Sequence, residues 1–180
     1  MSRLEAMKEA LGEESKDLRL NLGSVLQSGS LEPRQRYGIA LTSAVFLRSA
    51  ELAEAILEEG REHLNPETVA DARAAAAIMA MNTVYYRFRH MVAKDSYQNR
   101  AANLRMTRMA RPATSKLDFE LFSMACAALA GCEVCIKSHE ESLRHVGASE
   151  DQIHDSVRIA AVVHGFLVAW QGSPFPNEVA

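Results

Sequence analysis

The sequence predicts an all-α protein. Apolar residues recur with a helical period along the chain, and no alternating run of β-branched residues bounded by turn residues is found. Glycine and proline fall between the periodic segments. Hydrophobic residues make up 48% and charged residues 24% of the 180 residues, a balance typical of a folded globular protein. We therefore expect one compact helical domain over residues 1–180.

The periodic segments predict nine helices. Asn65 before Pro66 is typical of an N-cap followed by proline at the first helical position, and Ser149 with Gln152 is typical of a capping box. Gly147 and the segment Gly172–Pro176 are expected to end helices. The predicted helices are Arg3–Glu13, Lys16–Val25, Pro33–Ser49, Ala50–Leu64, Pro66–Val92, Ser96–Met106, Ser115–Ala130, Cys132–Val146 and Glu150–Trp170.

The chain contains a faint internal duplication. Residues 38–86 and 120–168 share the order helix, helix, turn and long alanine-rich helix. Two alanines of the first half, Ala50 and Ala53, stand roughly where the second half has two cysteines. We therefore expect a non-catalytic first half and a catalytic second half. The alternative is that two alanine-rich hairpins merely look alike.

Charge and hydropathy exclude several classes of protein. The formal net charge is -3 and no Lys/Arg-rich run is present, which argues against nucleic-acid binding as the function. The N-terminus lacks the pattern of a secretory signal. The longest apolar run, Ile159–Trp170, is interrupted by His164 and is too short to span a bilayer. We expect a cytoplasmic protein without membrane segments, where three cysteines serve catalysis or metal binding rather than a structural framework.

The most informative segment is the motif Cys-x-x-Cys-x-x-x-His, formed by Cys132, Cys135 and His139 directly after Gly131. At about 100° per residue, both thiols and the imidazole fall on one helix face, and the charged residues fall on the other. Both cysteines lie in the first helical turn, where unpaired N–H groups and the helix dipole favour a thiolate. This position lowers a thiol pKa from its ordinary value of about 8.5.

These residue types are sufficient for peroxide reduction. A thiolate at Cys135 can attack a peroxide O–O bond to give a sulfenic acid, with which Cys132 can condense to form a disulfide. His139 lies one turn beyond Cys135 and is the candidate base. We expect Cys132 to lie nearer the solvent-facing start of the helix.

Other readings of the motif stay open. The two cysteines can form half of a zinc site, with Cys126 or His164 as a further ligand, although no second pair at metal-like spacing is present. They can also be buried packing residues. Haem attachment is excluded because Ile136 follows the second cysteine, and a thioredoxin fold is excluded because βαβ alternation is absent.

Glu120 lies in the second turn of a helix that is apolar nearly all round, where an unpaired carboxylate would be costly. It is expected either to pair with a base or to take part in proton transfer. Cys126, on another side of the same helix, is expected to be a core residue. His164 is expected to be a core histidine on the inner stripe of the last helix, together with Ile153, Val157 and Val168.

The arrangement of Glu120, eleven intervening residues and the segment 132–139 resembles the alkyl hydroperoxidase AhpD family, which is related to the carboxymuconolactone decarboxylases. The resemblance covers nearly the whole chain. It implies an all-helical fold of two similar halves and a homotrimer. It also implies that Cys135 is the peroxidatic thiol, that Cys132 is its proton donor and disulfide partner, and that Glu120 and His139 relay protons.

The resemblance further implies the partners of the site. The family reduces organic hydroperoxides and the peroxiredoxin AhpC, the latter through a mixed disulfide at the second cysteine, which is Cys135 here. The implied reductant is the dihydrolipoyl group of a lipoyl domain from a 2-oxoacid dehydrogenase complex, with no cofactor bound by the chain itself. Val134 stands where the family motif often has a second histidine. The alternatives are a decarboxylase-like enzyme, which would not need a dithiol, and a zinc-stabilised helical module.

Overall fold

The computed structural model describes residues 1–172, and all regular structure within them is helical, as predicted. A short 3-10 turn, Glu13–Ser15, leads into the second helix. The α-helices are α1 (Arg3–Ala10), α2 (Lys16–Gln27), α3 (Pro33–Phe46), α4 (Ala50–Glu59), α5 (Pro66–Val92), α6 (Asp95–Gln98), α7 (Thr107–Ala110), α8 (Lys116–Leu129), α9 (Glu133–His145) and α10 (Glu150–Gly172).

The predicted N-caps of the two long helices are confirmed. The side chain of Asn65 accepts a hydrogen bond of 2.8 Å from the backbone N–H of Thr68, and Pro66 is the first residue of α5. At the start of α10, the Ser149 hydroxyl accepts from the N–H of Gln152 at 3.1 Å, and the Gln152 side chain accepts from the N–H of Ser149 at 3.0 Å. These bonds satisfy N–H groups that have no partner within the helix.

The predicted helix Ser96–Met106 is wrong. Only the short helices α6 and α7 form in this region, and residues 99–106 between them are not helical. The segment is largely exposed and therefore has no apolar face packed against the core, which is what stabilises most helices in proteins. Asn103 moreover has a φ of 50°, in the left-handed region that helices do not use. The connector 93–114 is mostly irregular, and its two short helices contact α5.

Three helices end earlier than predicted because local turns stop them. Helix α1 ends at Ala10, and α4 ends at Glu59 with Gly60 as its C-cap. Helix α3 ends at Phe46, because Arg48 adopts a left-handed φ of 62°. The helical propensity of the residues that follow does not overcome these turns.

Helices α3 and α8 form the centre of the fold and are buried along most of their length. They contact each other and pack against α5 and α10. The two central helices approach closely at Gly38, where a Cβ atom would lie 2.6 Å from the Phe122 ring. The absence of a side chain at Gly38 therefore permits this packing, and α8 is held firmly where it carries the site residues.

The inner face of α10 differs from the predicted one. The buried hydrophobic side chains from residue 159 onwards are Ile159, Ala160, Val163, Phe166 and Leu167, whereas Val168 is 59% exposed. His164 is exposed as well, so its expected place in the core is wrong. The helix packs against α2, α3 and α8 on a face rotated from the stripe that we expected.

The apolar run 159–170 forms the second half of α10, which continues to Gly172. Gly172 is thus helical rather than a stop, and the rest of the predicted stop, residues 173–176, lies outside the described residues. Among residues 1–172, no helix combines the length and the hydropathy needed to cross a membrane.

The same turn joins α3 to α4 and α8 to α9. In the first turn, the N–H of Arg48 donates to the carbonyl of Val45 and that of Ser49 donates to Ala44, both at 3.0 Å. Each turn contains one left-handed residue followed by the N-cap of the next helix. By this register Ser49, rather than Ala50, corresponds to the first cysteine. An internal duplication of the chain remains a prediction.

Candidate active site

The cysteine motif begins in the tight turn between α8 and α9. Gly131 adopts a left-handed φ of 61°, and its N–H donates to the carbonyl of Ala128 at 3.0 Å. The N–H of Cys132 donates to Ala127 at 3.1 Å. Together these bonds form a Schellman motif, which satisfies the last carbonyls of α8. Cys132 is therefore both the end of that motif and the N-cap of α9.

The structure contains a disulfide between Cys132 and Cys135, whose Cα atoms are 5.2 Å apart. This separation lies within the usual range of about 4.4–6.8 Å. The third cysteine, Cys126, is free and fully buried, and burial raises the pKa of its thiol far above the ordinary value. The predicted pairing and the predicted core position of Cys126 are both confirmed.

The two disulfide sulfurs differ in their surroundings. Both belong to one buried cluster with Met79, Cys126 and Ala127, but Cys132 is 0% exposed, whereas Cys135 is 6% exposed and lines a cavity. Our expectation that Cys132 lies nearer the solvent is therefore wrong. The Schellman motif holds Cys132, the N-cap, against the last turn of α8. Cys135, one turn further along α9, is the cysteine that lines the cavity.

A buried carboxylate and imidazole lie beside the cysteines. Nδ1 of His139 is 2.6 Å from Oε2 of Glu120, which places α9 and α8 in direct polar contact. The side chains of Glu120 and His139 are only 3% and 10% exposed. Nζ of Lys116, whose side chain is 45% exposed, lies 2.7 Å from the other carboxylate oxygen. The expectation that Glu120 pairs with a base is confirmed, and it pairs with two.

The electrostatics of Glu120 follow from these contacts. Burial disfavours its charged form, but hydrogen bonds from His139 and Lys116 outweigh burial and hold the pKa of the carboxyl below its ordinary value. Glu120 is therefore a carboxylate at neutral pH. When Nδ1–H of His139 donates to this carboxylate, Nε2 carries the lone pair and is able to accept a proton.

A small cavity of about 220 Å³ adjoins Cys135 and His139. Helices α5 and α9 and the connector before α8 form its walls, and most of the lining surface is apolar. Three of the lining side chains are methionines, which adapt their shape to irregular apolar ligands. The lining residues are Met79, Asn82, Tyr86, Met106, Met109, Val134, Cys135, Ser138 and His139.

Sequence reasoning missed several residues around the cysteines. Lys116 stands four residues before Glu120, a helical spacing that could have indicated the ion pair. Asn82 is 5% exposed and lines the cavity from α5, but nothing in the local sequence connects it to a motif about 50 residues away. Met106 was missed because it was expected to end a helix, and Met109 lies in a segment for which no helix was predicted.

The zinc interpretation gains no support from the described residues. Among residues 1–172, no three His, Cys, Asp or Glu side chains are grouped so that they could hold a metal ion. His164, considered as a ligand beside Cys132 and Cys135, is exposed on α10. The two cysteines are instead joined to each other.

Comparison with known proteins decides the family. The chain is 55% identical to the alkyl hydroperoxide reductase AhpD of Anaeromyxobacter dehalogenans (strain 2CP-C) over 169 residues, which is 94% of this chain and 91% of that protein. The chain belongs to the AhpD family. It is also 45% identical to the AhpD of Rhodospirillum centenum over 89% of this chain and 87% of that one. The pattern of the broader Carboxymuconolactone decarboxylase family matches residues 95–177.

Within this AhpD-family chain, the stretch matched by the broader family includes Glu120, both motif cysteines and His139. Val134 stands between the cysteines on the cavity wall. An apolar side chain thus occupies the place where the AhpD motif often has a second histidine. His139 is therefore the one histidine among the described residues that line the cavity.

Proposed function

We propose that this chain is a thiol-dependent reductase of alkyl hydroperoxides. The single observation that carries the proposal is the position of Cys135, which lies at an apolar cavity and one turn before a histidine whose ring is bonded to a buried carboxylate. A thiol nucleophile and an oriented base within one site are the elements of activated covalent catalysis. The name of the relatives, alkyl hydroperoxide reductase, supports the substrate class.

The reaction begins with the reduced dithiol. His139 takes the proton of the Cys135 thiol, either directly or through water, and Glu120 stabilises the imidazolium. The thiolate attacks the terminal oxygen of the hydroperoxide, the O–O bond breaks, and the alkoxide receives a proton to leave as an alcohol. Cys135 is then a sulfenic acid.

The second half of the cycle uses Cys132. Its sulfur attacks the sulfur of the Cys135 sulfenic acid, water leaves, and the disulfide found in the structure forms. A dithiol must then reduce this disulfide. We propose that the reductant is the dihydrolipoyl group of a lipoyl domain. One of its thiols attacks the sulfur of Cys135, because Cys132 is fully buried.

We also propose that the reduced dithiol passes its electrons to an AhpC-type peroxiredoxin. The attacking sulfur would again be Cys135, through a mixed disulfide that Cys132 resolves. The reaction needs no cofactor bound to the chain, since both electrons come from the thiols. A cytoplasmic location fits this chemistry because thiols are kept reduced there.

The decisive experiment measures peroxide consumption driven by dihydrolipoamide, with and without added AhpC. Cys135→Ser is expected to abolish turnover and sulfenic acid formation. Cys132→Ser is expected to form a sulfenic acid at Cys135 that dimedone traps, but not to complete the cycle. Dimedone labelling of Cys132 in the Cys135→Ser protein, with no label in the other variant, would reverse the two roles. A wild-type protein that consumes no peroxide would overturn the function.

We further propose that the chain assembles as a homotrimer. An apolar face of α5 is exposed, with Val84 64%, Phe88 47% and Met91 75% accessible. Contiguous exposed apolar surface of this kind typically marks an interface. Light scattering at micromolar concentration is expected to give three times the 19.8 kDa chain mass. Phe88→Glu is expected to lower this mass, whereas a wild-type monomer would contradict the proposal.

A further inference from the structure

Asn82 is a buried polar residue beside the cavity for which the mechanism has no role so far. It lies in the middle of α5 and is 5% exposed. Its amide nitrogen donates to the sulfur of Met106 at 3.1 Å. Its carbonyl oxygen, Oδ1, is buried and has no hydrogen-bond partner among residues 1–172. Asn82 lines the same cavity as Cys135 and His139.

An unpaired buried acceptor is rare in proteins because it loses its hydrogen bonds to water without replacing them. Such a group therefore calls for an explanation, and a ligand is one. None of the described residues donates to Oδ1, although Tyr86 and Ser138, which also line the cavity, carry hydroxyl groups. The contact with Met106 is made by the amide nitrogen. The amide oxygen can therefore accept a hydrogen bond from a molecule in the cavity. Oδ1 of Asn82 would therefore bind a molecule that supplies a hydrogen-bond donor.

We propose that Oδ1 of Asn82 accepts a hydrogen bond from the terminal O–H of the hydroperoxide and thereby orients the peroxide for attack by Cys135. This inference rests on the proposed function. A hydroperoxide ROOH has one O–H donor, on the oxygen that the thiolate attacks. Fixing that O–H at Asn82 selects the terminal oxygen and leaves the alkyl group in the methionine-lined part of the cavity.

The same hydrogen bond persists through the chemical step. The bond between the Cys135 sulfur and the terminal oxygen forms as the O–O bond breaks, and both electrons of the O–O bond leave with the alkoxide. The alkoxide takes its proton through His139. The proton of the terminal oxygen is not transferred and becomes the proton of the sulfenic acid. Asn82 therefore accepts from the substrate first and then from the S–O–H group.

The test compares two reactions of the reduced, full-length protein. Single-turnover thiol loss with cumene hydroperoxide requires the peroxide O–H, whereas alkylation of Cys135 by iodoacetamide requires only an accessible thiolate. Asn82→Leu and Asn82→Ala are each expected to slow the peroxide reaction about 10-fold, the effect of one hydrogen bond. Both variants are expected to react with iodoacetamide within about twofold of wild type. The alanine variant cannot block the cavity and keeps the test decisive if leucine obstructs it or prevents folding.

Ser123→Ala is the matched control. The Ser123 hydroxyl is also buried without a hydrogen-bond partner among the described residues, but it does not line the cavity. Its replacement is expected to leave both rates unchanged. An unchanged peroxide rate in both Asn82 variants, or an equal loss in both reactions, would overturn the inference while leaving the proposed function intact. A wild-type protein that fails to react with cumene hydroperoxide would instead overturn both.

Discussion

Replacing Glu120 by glutamine tests whether the buried carboxylate holds the site together. The substitution keeps the shape of the side chain but removes the charge that His139 and Lys116 contact at 2.6 and 2.7 Å. A buried hydrogen bond to a charged group contributes about 1.5–3 kcal/mol, and the half-exposed lysine pair adds about 0–1 kcal/mol because solvent screens it. We expect Glu120→Gln to lower the free energy of unfolding by about 2 kcal/mol. For a chain of this length the melting temperature would fall by about 4–8 °C.

The stability difference should depend on pH with a defined sign. Hydrogen bonds hold the pKa of Glu120 in the folded protein below its ordinary value. A carboxyl group of this kind stabilises the fold at every pH above its unfolded pKa, and that contribution is lost as the pH falls through the folded pKa. The difference between wild type and Glu120→Gln should therefore be full at pH 7 and should shrink below about pH 4.

The stability difference is measured by thermal unfolding followed by circular dichroism. All samples are kept at one protein concentration because oligomers unfold in a concentration-dependent way. Lys116→Met is the control, since it removes only the partly exposed partner and should lower the stability by less than about 1 kcal/mol. Peroxide turnover of Glu120→Gln should fall about 10²-fold to 10⁴-fold, the usual scale of acid–base assistance. A melting difference of equal size at pH 7 and pH 3 would refute the electrostatic reasoning.

Two further predictions concern the surroundings of the site. Asp71 is fully buried in α5 and accepts hydrogen bonds from Arg108, Ala113 and Thr114 of the connector. Asp71→Asn should therefore lower the free energy of unfolding by about 2 kcal/mol and speed hydrogen exchange in residues 106–114. Unchanged exchange would contradict this anchoring role. Cys126→Ala should leave peroxide turnover unchanged, and a change would give Cys126 a role beyond packing. In the reduced wild-type protein, Ellman titration should detect the Cys126 thiol only after unfolding.

The chemistry of the site could be predicted because it is local in sequence. Cys132, Cys135 and His139 share one helix and one face, so helical periodicity alone brings them together. Glu120 lies on the preceding helix, and its burial in an apolar pattern indicated that a partner was required. The tight turn at Gly131 packs α9 against α8. Glu120 and His139, which are near each other in the sequence, are therefore also in contact in the structure.

The other walls of the site could not be predicted for the opposite reason. Asn82 reaches the cavity from α5, and no local pattern specifies which residues of a long helix face a site on a distant one. The connector was misjudged because its residues favour a helix individually, although without a packed face the helix does not form. His164 was misplaced because several stripes of α10 are apolar, and only packing against neighbouring helices selects the inner one.

The turn that positions the cysteines occurs twice among the described residues. The backbone hydrogen bonds are the same in both turns, whereas the N-cap side chains differ. Ser49 holds the same place after α3 that Cys132 holds after α8, with the same pair of backbone hydrogen bonds. The Ser49 hydroxyl accepts from the N–H of Leu52, the residue equivalent to Cys135. The turn after α3 thus uses the N-cap position to stabilise the next helix. The second half gives that position to a cysteine whose side chain makes no cap hydrogen bond. The helix start there lacks the stabilising side-chain cap. Under the proposed function, its unpaired N–H groups would favour the thiolate form of a cysteine in the first turn.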